Sequence, residues 1–334
     1  MSLGWEDNVE RFQGKKVIIT GGLGFIGSTL AMKLVDLGAR VVVVDSLIPE
    51  YGGNLFNVKG YEGRLKVNIA DVRDEFSMSH LVKGEDFLFN LAGQTSHIDS
   101  MENPYTDLDI NCRSQLFILE ACRKYNPAIK VVYAGTRQVY GKPDMLPVRE
   151  DHPIRPVDVN GIHKMAGEWY HRLYYQVYGI RSCSLRLTNT YGPRMRIKDA
   201  RQTFLGIWIK ALIEGKPIDI WGDGLQIRDF NYVDDAVSAM LKVALSDRAD
   251  GEVYNLGSEP VSLKGLAELM VRVFKGGEYR ILPFPGKRKA IDIGDYYADF
   301  HKIGEDFQWK PEIGLEEGLA RTFDFYRRHI EHYL

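Results

Sequence analysis

Short apolar runs alternate with stretches of helical spacing through the first half of the chain. Val17–Thr20 is a β-branched run, followed by a glycine cluster and then by Ser28–Leu37, apolar at helical intervals up to Gly38. Val41–Val44 is a second run, ending at Asp45, and Arg64–Asn68, Phe87–Leu91 and Lys130–Tyr133 continue the series. Strands apolar nearly throughout, separated by helices, are what a parallel sheet covered on both faces requires. Two long amphipathic helices are predicted at Asp109–Tyr125 and Gly161–Tyr178. Beyond Arg186 the alternation loosens and turn signals gather at Tyr191-Gly-Pro193, Gly215-Lys-Pro217, Trp221-Gly-Asp-Gly224 and Pro283-Phe-Pro-Gly286. One helix, Asp234–Ser246, and one strand, Val253–Leu256, read as a return to the sheet. The expected fold is α/β: a doubly wound parallel sheet over residues 1–188 and about 226–258, with a smaller α+β lobe from 189–225 and about 259–334. No linker separates the two, so they are expected to pack side by side around a cleft.

Composition narrows the classes. In 334 residues, 45% are hydrophobic and 26% charged, which excludes a disordered chain, a collagen or a disulfide miniprotein. Lys and Arg number 43 against 45 Asp and Glu, a net charge of −2. Without a basic excess, a nucleic-acid partner is not expected. Cys112, Cys122 and Cys183 are odd in number and lack metal-ligand spacing, so free thiols in a reducing cytosol are expected and a metal site is not. No apolar run approaches the ~18 residues of a membrane span, and the opening stretch MSLGWEDNVERFQGKK lacks the apolar core of an export signal. These features predict a cytoplasmic protein without a membrane partner.

The first specific chemistry lies in Thr20-Gly-Gly-Leu-Gly-Phe-Ile-Gly27, which follows the first strand and opens a helix. Gly21, Gly24 and Gly27 suit a tight turn, close approach of backbone N–H groups to a pyrophosphate, and close helix–strand packing. The helix N-terminus then presents partial positive charge to the phosphates. Asp45 ends the next strand 18 residues after Gly27, near the ~20 residues typical of the acid that binds ribose hydroxyls. A carboxylate there repels the 2′-phosphate of NADP, and Ser46 and Leu47 bring no basic residue, so NAD is the expected cofactor.

The GxxGxxG spacing resembles the short-chain dehydrogenase/reductase superfamily, and further motifs resemble its extended branch, the nucleotide-sugar epimerases and dehydratases. Asp71-Val72 is similar to the pair that contacts adenine. Asn90-Leu-Ala-Gly-Gln94 is similar to a strand-four motif lying along the cofactor, and Phe25, Ile26, Leu91, Ala92, Gly93 and Gln94 are assigned to the cofactor with it. Asn111 matches a helix asparagine near the active site. Ala134-Gly-Thr-Arg-Gln-Val-Tyr-Gly141 is similar to the strand that delivers a Ser or Thr, here Thr136. Arg186-Leu-Thr-Asn-Thr-Tyr-Gly-Pro193 and the segment Trp221–Asp235 match two further signatures. The resemblance spans about residues 14–325 and implies a Rossmann fold, bound NAD and an NDP-sugar substrate.

Enzymes of this kind move a hydride from a sugar ring carbon to NAD while a Tyr in Tyr-x-x-x-Lys takes the hydroxyl proton. The lysine, on the same helix face, lowers the tyrosine pKa and holds the nicotinamide ribose. Here Lys164 is present, but Asn160 occupies the tyrosine position. An amide does not titrate near neutral pH, and losing a positioned acid/base costs on the order of 10²–10⁴ in rate. Several readings stay open. The enzyme uses another base, His163, His97 or a water relayed by Thr136 and Lys164. Alternatively the chain only binds NAD and a sugar nucleotide, or is a simple dehydrogenase. The asparagine could also be an introduced replacement, or the motif could be shifted in register. At the substrate end the resemblance assigns Asn189, Arg194 and Arg228 alongside Thr136, with Arg288 in Gly286-Lys-Arg-Lys289 as a further arginine. It also implies a homodimer in which the two long helices of each copy form a four-helix bundle.

Overall fold

In a computed structural model of the chain, which describes residues 11–199, 201–284 and 292–334, the apolar runs become seven parallel strands. These include β1 (Lys16–Thr20), β2 (Arg40–Asp45), β3 (Lys66–Ile69), β4 (Phe87–Asn90), β5 (Lys130–Thr136) and β6 (Ser182–Leu187). The sheet order is Val253–Asn255, β6, β5, β4, β1, β2, β3. Successive residues of a strand face opposite sides of a sheet, and here both sides are covered. Val17, Ile19 and Phe89 join one core cluster, while Ile18, Leu88 and Val131 join another with Ile118, Cys122 and Tyr174. That two-sided burial is why the strands read as unbroken apolar runs.

The Asp234–Ser246 expectation is met by a Val233–Ala244 helix that packs on the sheet, and Val253–Asn255 pairs in parallel with β6. Two helices differ from their reading. The first starts at Phe25 rather than Ser28, because Gly24 serves as its N-cap and the glycine loop passes straight into the helix. The expected Asp109–Tyr125 helix is a Ser114–Tyr125 α-helix preceded by a π turn, Asp109–Arg113, and a short helix, Pro104–Leu108. The second long helix runs Val159–Tyr178, ended by Gly179 in the left-handed region at φ +71.

Among the described residues three two-stranded pairings lie outside the main sheet: Asn189–Tyr191 with Phe230–Tyr232, Ile218–Trp221 with Tyr279–Leu282, and Ile227–Arg228 with Val261–Ser262. Helices Phe204–Ile213, Leu263–Phe274 and Leu315–His329 accompany them. One apolar core runs without interruption from the sheet face at Val17 and Leu185 to Trp208, Ile220, Leu266 and Phe323. That continuity accounts for the missing linker. Among the described residues no helix is long and apolar enough to cross a membrane.

The register brings the strand ends together. Thr20 pairs with Val44 and with Asn90, and Asn90 pairs with Tyr133. The strand order reverses between β1 and β4, and ligands of open α/β sheets bind beyond the carboxyl ends at such a point.

Candidate active site

A cavity of about 1000 Å³ opens at those carboxyl ends, walled by the sheet and by segments outside it, among them Phe204–Ile213 and Ile218–Trp221. At its nucleotide end the surface is made largely by backbone. Gly21 has φ +66, and a Cβ there would lie 2.9 Å from the Ala92 nitrogen. A Cβ on Gly27 would lie 2.2 Å from the Gly21 carbonyl oxygen. Neither contact is possible, so both positions require glycine. Thr20 Oγ1 donates to Asn90 Oδ1 at 2.8 Å and accepts from the backbone of Leu91 and Ala92, tying the two strand ends together. The Phe25–Asp36 helix has no acidic residue in its first turn, which leaves its positive end uncompensated.

Asp45 accepts N–H groups from Leu23 at 3.1 Å and Leu47 at 2.9 Å, one on each oxygen. A carboxylate has about four acceptor sites, so each oxygen retains capacity for a hydroxyl. Burial raises the Asp45 pKa, opposed by those two bonds. Phe25, Ile26, Ser46, Asp71, Val72, Leu91, Ala92, Gly93 and Gln94 also line the cavity, as do all three motif glycines. Asp71 is held by Arg73 at 2.6 Å, a hydrogen bond that lowers its pKa. The cradle fits a dinucleotide: its glycines leave room that a Cβ would fill, and its acid ends the second strand.

At the far end side chains dominate. Asp158 caps the Val159–Tyr178 helix by accepting from the Gly161 nitrogen at 2.7 Å, which sets Asn160 in the first turn. Asn160 is 2% exposed; its Nδ2 donates to the Gln94 carbonyl at 2.8 Å and to Asp107 Oδ2 at 2.9 Å. Lys164 donates to the Ala134 carbonyl at 2.6 Å and lies 4.6 Å from the Tyr133 ring centre. Its burial pushes its pKa down to about 8. Thr136 Oγ1 accepts from the Gln138 nitrogen at 3.3 Å. Thr136, Asn160 and Lys164 all line the cavity.

Asn111 lies just behind this wall. Its Nδ2 donates to the Gln94 carbonyl at 2.9 Å and to Asp107 at 3.0 Å, while its buried Oδ1 has no partner. A Cβ on Gly93 would come within 3.0 Å of that oxygen, so the glycine leaves an orphaned acceptor within reach of the cleft.

Two expected site residues turn elsewhere. His163 Nδ1 meets Asp107 Oδ1 at 2.7 Å, and the ring is not part of the cavity wall. Asp107 occupies the helix face that His163 shares with Asn160, so the histidine is drawn away from the cleft. Arg194 follows the Gly192-Pro193 turn with φ +72, which sends its side chain toward the sheet-side helix. There Nη2 reaches Thr29 Oγ1 at 3.3 Å, and the guanidinium sits 5.8 Å from the Phe325 ring centre, away from the cavity. Arg288 lies outside the described residues. Asn189 and Arg228 do line the cavity. Asn189 donates to the Asp229 carbonyl at 3.0 Å, and Arg228 donates to the Ile227 carbonyl at 2.8 Å. Burial, then repulsion from Arg137, pushes the Arg228 pKa down to about 10.

His97 lines the cavity. Its Nδ1 contacts Asp158 Oδ2 and its Nε2 contacts the Gln138 side-chain amide. The Asp158 pKa is lowered: burial raises it, but the bond to His97 and its charge prevail. Sequence reading singled out neither Asp158 nor Arg137. A helix-capping aspartate carries a local signal, but its pairing with the distant His97 carries none. Arg201 and Arg280 also reach the cavity without a sequence pattern to mark them, while Trp221 and Phe284 reach it from segments whose turn signals the sequence shows. Among the described residues no cluster of three His, Cys, Asp or Glu side chains is placed to hold a metal ion.

A glycine cradle and a strand-end carboxylate at the switch point of a parallel sheet define a dinucleotide-binding protein of Rossmann type. Residues 17–257 match the sequence model of the NAD dependent epimerase/dehydratase family, and the chain belongs to that family. The putative UDP-glucose 4-epimerase of Methanocaldococcus jannaschii is 34% identical, over 94% of this chain and 99% of that protein. The UDP-glucose 4-epimerase of Thermotoga maritima, solved with UDP-glucose, is 29% identical with TM-score 0.84, covering 94% of this chain and 99% of that one. The Thermus thermophilus UDP-glucose 4-epimerase, solved with NAD, is 28% identical with TM-score 0.83 over 94% and 99% of the two chains.

Proposed function

We propose that this protein is an NAD-dependent epimerase of sugar nucleotides, acting by transient oxidation of a hexose ring carbon. The observation that supports it best is one continuous cavity joining the Gly21–Asp45 cradle to the Thr136–Lys164 polar end. Gly21, Gly24 and Gly27 hold the pyrophosphate of NAD, Asp45 and Ser46 its adenosine ribose, and Asp71 and Val72 the adenine. Leu91, Ala92, Gly93 and Gln94 lie along the cofactor, with Asn111 behind them, and Lys164 holds the nicotinamide ribose. Bound NAD supplies a reversible hydride acceptor. Asn189 and Arg228 hold the substrate diphosphate, and the smaller lobe takes the rest of the nucleotide.

Thr136 Oγ donates a hydrogen bond to the reacting hydroxyl. Asn160 cannot take the proton, since its amide is already bonded to Gln94 and Asp107. His97 can. With Nδ1–H donated to Asp158, its Nε2 lone pair faces the Gln138 side-chain amide, which turns aside when the substrate hydroxyl enters and leaves Nε2 to accept the proton.

The copies pair through the Val159–Tyr178 helix, where Ile162, Trp169, Leu173 and Val177 stand exposed, and through the neighbouring Ser114–Tyr125 helix. A monomer by light scattering at micromolar concentration rejects that pairing. The protein works in the cytoplasm, where its three buried cysteines stay free. Native mass spectrometry for bound NAD, with turnover on a sugar-nucleotide panel without added cofactor, tests the function. Binding without turnover leaves a binding protein, a reading favoured only by the engaged Asn160. Stoichiometric NADH release identifies a dehydrogenase.

A further inference from the structure

Four arginines line the cavity among the described residues, and three of them face carboxylates. Arg201 meets Asp99 at 2.7 Å and Asp199 at 2.9 Å, Arg280 meets Asp219 at 2.6 Å, and Arg228 faces Asp292 at 3.7 Å. Arg137 forms no ion pair within 4 Å among the described residues, though its charge favours the ionised forms of Asp158 and Asp229. Its Nη2 reaches Asn189 Oδ1 at 3.4 Å, its guanidinium lies 4.9 Å from the Tyr296 ring centre, and its Nη1 is buried without any hydrogen bond. Residues 285–291, outside the described set, contain no Asp or Glu that could complete it.

Such an arrangement is unfavourable as it stands. A buried charged donor left unsatisfied is costly, and Arg137 also repels Arg228 strongly enough to lower the Arg228 pKa. An anion entering between them removes both penalties. On the reading above, Arg228 and Asn189 already serve the diphosphate. Arg137 is the residue next to Thr136, on the side of the cavity that receives the sugar. The Tyr296 ring faces its guanidinium from one side, and a guanidinium fork is matched to a carboxylate.

We infer that Arg137 binds a carboxylate on the sugar, so that the preferred substrate is a nucleotide linked to an acidic sugar of the hexuronate kind. This inference rests on the reading of the site as one for sugar nucleotides. A neutral hexose offers Nη1 a hydroxyl acceptor without a counter-charge, whereas its hexuronate, which exchanges the hydroxymethyl group for a carboxylate, offers both.

The test is calorimetric binding to the NAD-loaded protein, using matched probes: UDP, UDP-glucose and UDP-glucuronate, with GDP, GDP-mannose and GDP-mannuronate alongside. The hexuronate is expected to bind on the order of tenfold or more tighter than its hexose, the scale of one hydrogen bond to a charged group. Arg137→Met is expected to erase that difference while leaving the hexose and the free diphosphate unchanged. Arg137→Lys, which keeps the charge and loses the fork, is expected to fall between, and melting curves check that both variants fold. Equal affinity for hexose and hexuronate overturns the inference. So does an Arg137→Met variant that weakens UDP, UDP-glucose and UDP-glucuronate alike, since Arg137 then clamps the diphosphate. Both of those outcomes leave the sugar-nucleotide reading standing, whereas no binding by any probe overturns the two together.

Discussion

At the nucleotide end of the cleft the surface is backbone, shaped by Gly21, Gly27 and two tied strand ends; at the far end it is a web of side chains. The first is indifferent to most side-chain identities and intolerant of a few atoms: one Cβ at Gly27 would collide with the Gly21 carbonyl. The second has shared parts. Asp107 accepts from Asn111, Asn160 and His163 at once, so changing one donor redistributes the others. A backbone site is therefore either present or absent, while a side-chain site can be retuned by single substitutions. The presence of Asn160 at a position the resemblance assigns to tyrosine fits that difference.

The largest effect that would sharpen this contrast is expected from His97→Asn. Turnover should fall by about 10²–10⁴, the usual worth of a positioned acid/base, with NAD affinity unchanged. Unaltered turnover across pH 6–9 would remove His97 from the chemistry. The floor beneath the far end should reveal itself through acid sensitivity. His171 stacks on Tyr133 with ring centres 4.4 Å apart, and burial pushes its pKa down to about 4. The unfolded chain protonates this histidine near 6.5 and the folded one only near 4. Between those values the unfolded state holds the extra proton, so its contribution to stability is complete above the window and drains away as pH falls through it. The loss should approach about 3 kcal/mol, and His171→Gln should flatten it in denaturant melts.

A change of about tenfold or more is expected from Asn160→Tyr, whose ring would displace two hydrogen bonds at Gln94 and Asp107. Native activity should drop; a rise in activity would instead mean that the far end is a tyrosine site lacking its tyrosine. The smallest effect is expected at the nucleotide end. Asp45→Ala should weaken NAD roughly tenfold or less, as for lost hydrogen bonds to a charge, and bring NADP closer to it. Equal affinity of the unaltered protein for both cofactors would break the contrast, because the strand-end carboxylate would then not be reading the ribose.

The same division governs what could be read before the fold was known. The β-branched runs at Val17–Thr20 and Val41–Val44 became strands because burial on both faces leaves little choice of residue. Asp45 was legible because strand, turn and helix have nearly constant lengths in such a unit. At the far end the motifs named Thr136, Asn160, Lys164, Asn189 and Arg228, all of which line the cavity. Helical spacing placed His163 on the face of Asn160, but only the fold shows Asp107 waiting on that face. His97 finds its partner Asp158 61 residues away, a distance at which local periodicity carries no information. Arg194 was misplaced because a left-handed φ after a Gly-Pro turn reverses a side chain without altering any pattern of polar and apolar residues. The π turn at Asp109–Arg113 escaped for a similar reason, since one additional residue barely disturbs a 3.6-residue period.

That turn frees the angular phase of one helical stretch from its exact length. A π turn closes one residue later than an α turn, and each residue of an α-helix advances the chain by about 100°. Downstream, Ile118 and Cys122 are locked into the core beneath the sheet; upstream, Asp107 points into the polar cluster. Deleting a single residue between them, such as the solvent-facing Arg113, would let the turn rewind as α-helix, so Asp107 would keep nearly its present face relative to that anchored half. An unbroken α-helix would pass the same deletion on to its faces as a swing of about 100°, so this turn is a place where the count of residues can change without turning the polar cluster away.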